Sequence, residues 1–204
     1  MSLARRLSGL CISAPRSLST GIAILTAVLG AAASVLAVSD ARGVAGGALA
    51  VLMVSIAVVD ARRYVIPDRL TVASLIIGCA HAAIGAADEI AIALVQAAGR
   101  GAVLAGILWS LRIVYRHLRG RDGMGLGDVK LGGVAGVWLD WPMIPVVIEI
   151  AALACLTAYV TKHLFARKSI QMTGKMPFGL FFAPAIWLGW LLQSVLFAPR
   201  LSSF

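Results

Sequence analysis

Seven apolar runs separated by short polar links make up most of this chain. They fall at about Gly21–Val38, Gly43–Val59, Leu70–Ala87, Ile90–Tyr115, Val129–Leu139 and Met143–Phe165, with a last run ending near Phe197. About 20 consecutive apolar residues cross the hydrocarbon core of a bilayer as a helix. The pattern therefore predicts an all-α, polytopic transmembrane helix bundle of about six core spans plus one N-terminal span. The fifth run is short and breaks at Asp140-Trp141-Pro142. It either draws on its polar flanks or does not fully cross.

Composition agrees with this reading. Of 204 residues, 60% are hydrophobic and 13% charged, with a mean hydropathy of +0.94; a soluble domain is about 45–50% apolar and about 25% charged. The length suits one compact bundle, divided into a basic tail and first span over 1–42, a membrane domain over 43–197 and a tail over 198–204. Arg5, Arg6 and Arg16 precede the first run, and Ala37-Val38-Ser39 has the small residues of a signal-peptide cleavage site. The basic region is long for a signal peptide, which favours a retained span. Cys11, Cys79 and Cys155 form no Cys-x-x-Cys pair, so neither a zinc site nor a dithiol motif is expected; Cys79 and Cys155 read as small buried hydrophobes.

The net charge of +9 would suggest nucleic acid for a soluble protein. Here the cations sit in short links between apolar runs, as the positive-inside rule describes, and no nucleic-acid partner is expected, only membrane lipid. Counting links alternately from an inside N-terminus puts every Lys and Arg except Arg42, Arg100 and Arg200 on the inner side. That asymmetry predicts an inside N-terminus and an outside C-terminus, and it puts Asp60 and Asp128 at the same inner face.

Asp128 ends the polar run Gly123-Met124-Gly125-Leu126-Gly127 and stands at the mouth of the fifth apolar run. Alternating glycines let another chain approach closely. A carboxylate at that place is a functional candidate or the cap of the next helix. Two carboxylates in a semi-dry site cannot both ionise easily, so one keeps a proton near neutral pH. The ionised member then takes a proton from water while the protonated member donates to a carbonyl oxygen, the division of labour of aspartic proteases. This chemistry needs no metal or cofactor, and His81, His117 and His163 are too scattered for a ligand set. Structural alternatives stay open: Asp60 as an interfacial charge ending its span, and Asp68 as a cap of the third span after Pro67. Lys130, just inside a helix start, reads as snorkelling or loop-positioning.

Three segments together resemble the type IV prepilin peptidases, membrane aspartyl proteases of the wider group that includes presenilin and signal peptide peptidase. They are Asp60 with Ile66-Pro67-Asp68, Gly125-Leu126-Gly127-Asp128-Val129-Lys130-Leu131, and Pro177-Phe178-Gly179. The resemblance covers about Gly43 to Phe197. It implies catalytic roles for Asp60 and Asp128, and substrate- or loop-positioning roles for Gly125, Gly127, Lys130, Asp68, Pro177, Phe178 and Gly179. Leu180 stands where the family often has a second proline. The implied substrate is a prepilin or pseudopilin, with a short basic leader, a glycine before the scissile bond and an apolar helix after it, cleaved at the cytoplasmic face of a bacterial inner membrane. Bifunctional members carry an N-terminal insertion, often with paired Cys-x-x-Cys motifs, for N-methylation. Only a short outer link near Asp40 and Arg42 lies here, so the resemblance implies a peptidase-only form.

Two other classes would also place carboxylates in membrane helices: a small transporter, and a non-catalytic assembly component of a pilus or secretion system. The sequence also predicts a structural ion pair. Arg100 and Glu149 lie well inside the fourth and sixth runs, where a lone charge costs about 2.5–3.5 kcal/mol at the bilayer centre. Pairing in the bundle interior, with His81 joining by a hydrogen bond, relieves that cost; the alternative is that Arg100 snorkels to the outer headgroups and Glu149 is protonated.

Overall fold

The computed structural model describes residues 16–86, 89–120, 124–166 and 177–196. Asp88, Arg121, Gly123, Arg167, Lys168, Lys175 and both terminal tails lie outside the described residues. Among those described, seven helices and no strand are present: α1 (Arg16–Ala37), α2 (Ala41–Arg63), α3 (Asp68–Gly85), α4 (Ile90–Arg119), α5 (Leu126–Trp138), α6 (Met143–Ala166) and α7 (Gly179–Leu196). Each apolar run becomes one helix, in the order of the sequence. Five of them, α1, α2, α4, α6 and α7, are long and apolar enough to cross a membrane, as in a multi-pass membrane protein. The 13 residues of α5 rise only about 20 Å, less than the hydrocarbon thickness of about 30 Å.

Local chemistry sets the helix ends. Asp40 caps α2 by accepting the N–H groups of Arg42 and Gly43. Tyr64 closes α2 in the left-handed region, φ 54°, and donates its N–H to the Asp60 carbonyl. Asp68 does not cap α3, contrary to one reading of the sequence. Pro67 takes the N-cap position with no side-chain bond to the helix, and the Asp68 carboxylate reaches across to α5 instead.

Helices α2, α3, α5 and α7 close a ring, each packed on the next, with α1 outside against α2 and α7, α4 against α3 and α5, and α6 against α7. Enclosure explains why α5, the shortest helix, is buried along almost its whole length. Its glycines let α4 come very close. A Cβ on Gly136 would lie 2.6 Å from the Gly101 Cα, and one on Gly101 would lie 2.9 Å from the Gly133 carbonyl oxygen. Lipid tails supply no hydrophobic drive between helices, so such close packing of small residues is what holds them together. The two buried indoles are partnered: that of Trp138 donates to the Ser74 carbonyl at 2.9 Å, and that of Trp190 donates to His81 Nε2 at 3.0 Å.

The structure does not pair Arg100 with Glu149. Arg100 Nε donates to the Gly136 carbonyl at 3.2 Å, and its Nη2 lies 3.7 Å from Asp140 Oδ1. The reason is helix-end chemistry: the last carbonyls of α5 lack intrahelical donors, and Arg100 stands beside them on α4. Glu149 sits exposed on α6, which packs on α7. His81 is engaged by the two tryptophans and takes no part. Cys79 and Cys155 are half-buried rather than buried.

Candidate active site

The C-terminus of α2 and the N-termini of α3, α5 and α7 meet at one end of the ring. Asp60, in the last turn of α2, is 5% exposed. Its Oδ2 accepts the Leu180 N–H at 3.0 Å, and the Gly179 N–H also bonds to it. These are the unpaired first-turn donors of α7, at the positive end of its dipole, a natural seat for a carboxylate. Pro177-Phe178-Gly179 builds that seat. The Pro177 carbonyl accepts from Leu180, and the Phe178 carbonyl from Phe181 and Phe182, which starts the helix with its end turned to Asp60. Gly179 has no side chain where the carboxylate lies; a Cβ there would come 2.8 Å from Asp60 Oδ2.

Asp128 is the third residue of α5, and its Oδ2 accepts the Gly125 N–H at 3.3 Å. It reaches back to cap its own helix as the acidic residue of a capping box does. The capping reading of this residue and the chemical one are therefore compatible. Burial pushes the Asp128 carboxyl up to about 6, against the Gly125 hydrogen bond, and the charge of Asp60 raises it further. Lys130, two residues along, is ion-paired with Asp68 on α3; the two side chains are 43% and 72% exposed. The pair joins the starts of α3 and α5 at the surface.

Ile66 fills the space between these elements. It is 7% exposed, although its neighbours Tyr64 and Val65 are 55% and 58% exposed. Its Cδ1 would lie 2.8 Å from a Cβ on Gly127 and 2.9 Å from one on Gly179. One apolar side chain thus occupies the room left by two glycines, one beside Asp128 and the other against Asp60. All nine residues expected at the catalytic end gather here: Asp60, Asp68, Gly125, Gly127, Asp128, Lys130, Pro177, Phe178 and Gly179. Sequence reasoning missed two participants. The Leu180 contribution is a backbone N–H and leaves no trace in residue type. Ile66 had a trace, as the apolar residue before the proline of the short link between α2 and α3.

Among the described residues, no three His, Cys, Asp or Glu side chains come together as a metal-binding group. A groove of about 410 Å³ runs between α1, α2 and α7, lined by Thr26, Gly30, Ala57, Val58, Leu180 and Pro184 among others. Leu180 both lines this groove and holds the Asp60 carboxylate through its N–H. Pro184 has no N–H for the Leu180 carbonyl, which loses its intrahelical donor.

Residues 47–160 match the type IV leader peptidase family. The chain is 28% identical over 172 residues to a prepilin leader peptidase/N-methyltransferase of Aeromonas hydrophila, covering 83% of this chain and 57% of that one. It is 36% identical over 121 residues to a protein of the same description from Dickeya chrysanthemi, covering 59% and 41%. With the leader peptidase HopD of Escherichia coli it shares 33% identity over 132 residues, covering 64% and 82%. The chain thus spans about half the length of the two leader peptidase/N-methyltransferases. No solved structure gives a significant match.

Proposed function

The chain belongs to the type IV leader peptidase family, and we propose that it is a membrane-embedded aspartic endopeptidase removing the short basic leader of type IV prepilins or pseudopilins. The observation that carries this reading is the meeting of Asp60 and Asp128, from α2 and α5, at one end of the ring.

The two carboxyls take different roles because their surroundings differ. Asp60 is buried in the last turn of α2 against the first N–H groups of α7, donors that offset part of the cost of burying a carboxylate there. Asp128, raised by burial to about 6, keeps its proton further toward neutral pH. Asp128 donates a hydrogen bond to the scissile carbonyl oxygen, and Asp60 takes a proton from the attacking water. Water oxygen bonds to the carbonyl carbon; as the tetrahedral intermediate collapses and the C–N bond breaks, Asp60 passes the proton it took from water to the leaving nitrogen, and the re-formed carbonyl leaves Asp128 protonated. The groove beside Leu180 suits an apolar helix that follows the scissile bond. Placement in the bacterial inner membrane, with this end cytoplasmic, is supported by the excess of Lys and Arg in the links on this side.

The test is cleavage of a purified prepilin by the full chain in membranes. Asp60→Asn and Asp128→Asn should each abolish cleavage and leave the protein folded, because an acid–base pair acts as one unit. Full cleavage by either variant would overturn the assignment. An assembly component would be indifferent to both changes.

A further inference from the structure

We propose that Ile66 is a positioning residue of this site: its side chain is the spacer that sets the start of α5, bearing Asp128, against the start of α7, which holds Asp60. The inference rests on the peptidase reading above. It concerns what fixes the distance between the two acids.

Nothing in the link around Ile66 is helical or strand, yet its position is closely defined. The chain turns at Tyr64 through a left-handed conformation, and the Tyr64 N–H is tied to the Asp60 carbonyl at 2.9 Å. Ile66 is therefore anchored two residues from a bond made by Asp60 itself. Its side chain then turns inward, while those of Tyr64 and Val65 point out. It meets the helix starts that bear the chemistry. At Gly127 a Cβ would lie 2.8, 2.9 and 3.0 Å from Ile66 Cδ1, Cγ1 and Cβ. At Gly179 it would lie 2.9 Å from Cδ1. Ile66 thus fills the space between the two helix starts: an added Cβ at Gly127 would meet it, and one at Gly179 would meet both it and Asp60.

The consequence is geometric. A water shared between two carboxyls reacts only when both are in reach, and a misplacement of about 1 Å can cost about 100-fold in rate. With 7% exposure, Ile66 offers almost no surface to a substrate, so its effect falls on turnover rather than binding.

The test uses the full chain in membranes with a purified prepilin, reading kcat, KM and the pH profile of cleavage. Ile66→Ala should lower kcat about tenfold or more while KM stays within about twofold. Ile66→Val, which removes only the methyl that faces both glycines, should give a smaller loss in the same direction and serves if the alanine variant folds poorly. Water admitted beside Asp128 should move the alkaline limb of the profile to lower pH. The charged groups around it, Asp60 on α2, Asp68 on α3 and Lys130 on α5, are unchanged, so that shift reports spacing and solvation. Gly127→Ala alone should be impaired, and adding Ile66→Ala should restore part of its kcat, since the new methyl enters the vacated space. Gly179→Ala should not be restored, since Asp60 also stands against that position. Wild-type kcat and pH profile in both Ile66 variants, or additive losses in the Ile66→Ala/Gly127→Ala pair, would overturn the spacer. Absence of cleavage by the wild-type chain would instead overturn the peptidase reading.

Discussion

The Leu180 N–H donates to the Asp60 carboxylate at 3.0 Å, across 120 positions of sequence. This bond ties the end of α2 to the beginning of α7 and gives the Pro177-Phe178-Gly179 segment a physical meaning. It delivers a helix N-terminus to a buried acid, and Gly179 is small because that acid lies against it.

Gly179→Ala should therefore behave as a defect of Asp60. Its methyl would stand 2.8 Å from Oδ2, displacing the carboxylate from its two N–H donors. Cleavage should fall about 100-fold, with a much smaller change in thermal stability. Cleavage near the wild-type rate would show that the carboxylate does not need this seat.

Asp128 should make stability depend on pH with a definite sign. Its carboxyl is raised from 3.8 to about 6 in the folded chain, so ionisation is less favourable folded than unfolded. Stability is then full below about pH 3.8, falls as pH rises toward about 6, and levels off above. Asp128→Asn removes that fall. The melting-temperature advantage of the variant should be near zero at the acid end and reach its maximum above pH 6. A difference that does not change with pH counts against the raised carboxyl.

The ion pair between Asp68 and Lys130 is exposed, and an exposed pair contributes only about 0–1 kcal/mol. Asp68→Asn and Lys130→Met should barely move the melting temperature. Each should slow cleavage by a few-fold through a looser α5 start, far less than loss of Asp60 or Asp128. Complete inactivity of Asp68→Asn, with Asp60→Asn still active, would transfer the catalytic role to Asp68.

At the opposite end, Arg100→Leu leaves the Gly136 carbonyl without its donor and Asp140 without its cation. The expected loss is about 1–3 kcal/mol of stability. Glu149→Leu, on an exposed face of α6, should stay within about 0.5 kcal/mol. Thermal unfolding of both single variants and the double variant should give additive effects. Recovery in the double variant would restore the pairing of Arg100 with Glu149 that the sequence suggested.

Seven apolar runs were legible as seven helices because burial in lipid demands long apolar segments, and that demand is written in residue type. The short fifth run was legible for the same reason, as were the acids at the polar ends of Gly43–Val59 and Val129–Leu139. Charge asymmetry alone put Asp60 and Asp128 on one face. Which groups touch there was decided by tertiary structure. The seat of Asp60 is a pair of backbone N–H groups that any residue except proline could supply, so no side chain announces it. Ile66 becomes a spacer only once three helix ends converge on it. Depth along the runs suggested Glu149 as the partner of Arg100, whereas Asp140 stands at the polar break after the fifth run. The packing of α4 on α5 chose Asp140, because a helix C-terminus with unpaired carbonyls lies beside Arg100 and α6 packs on α7 instead.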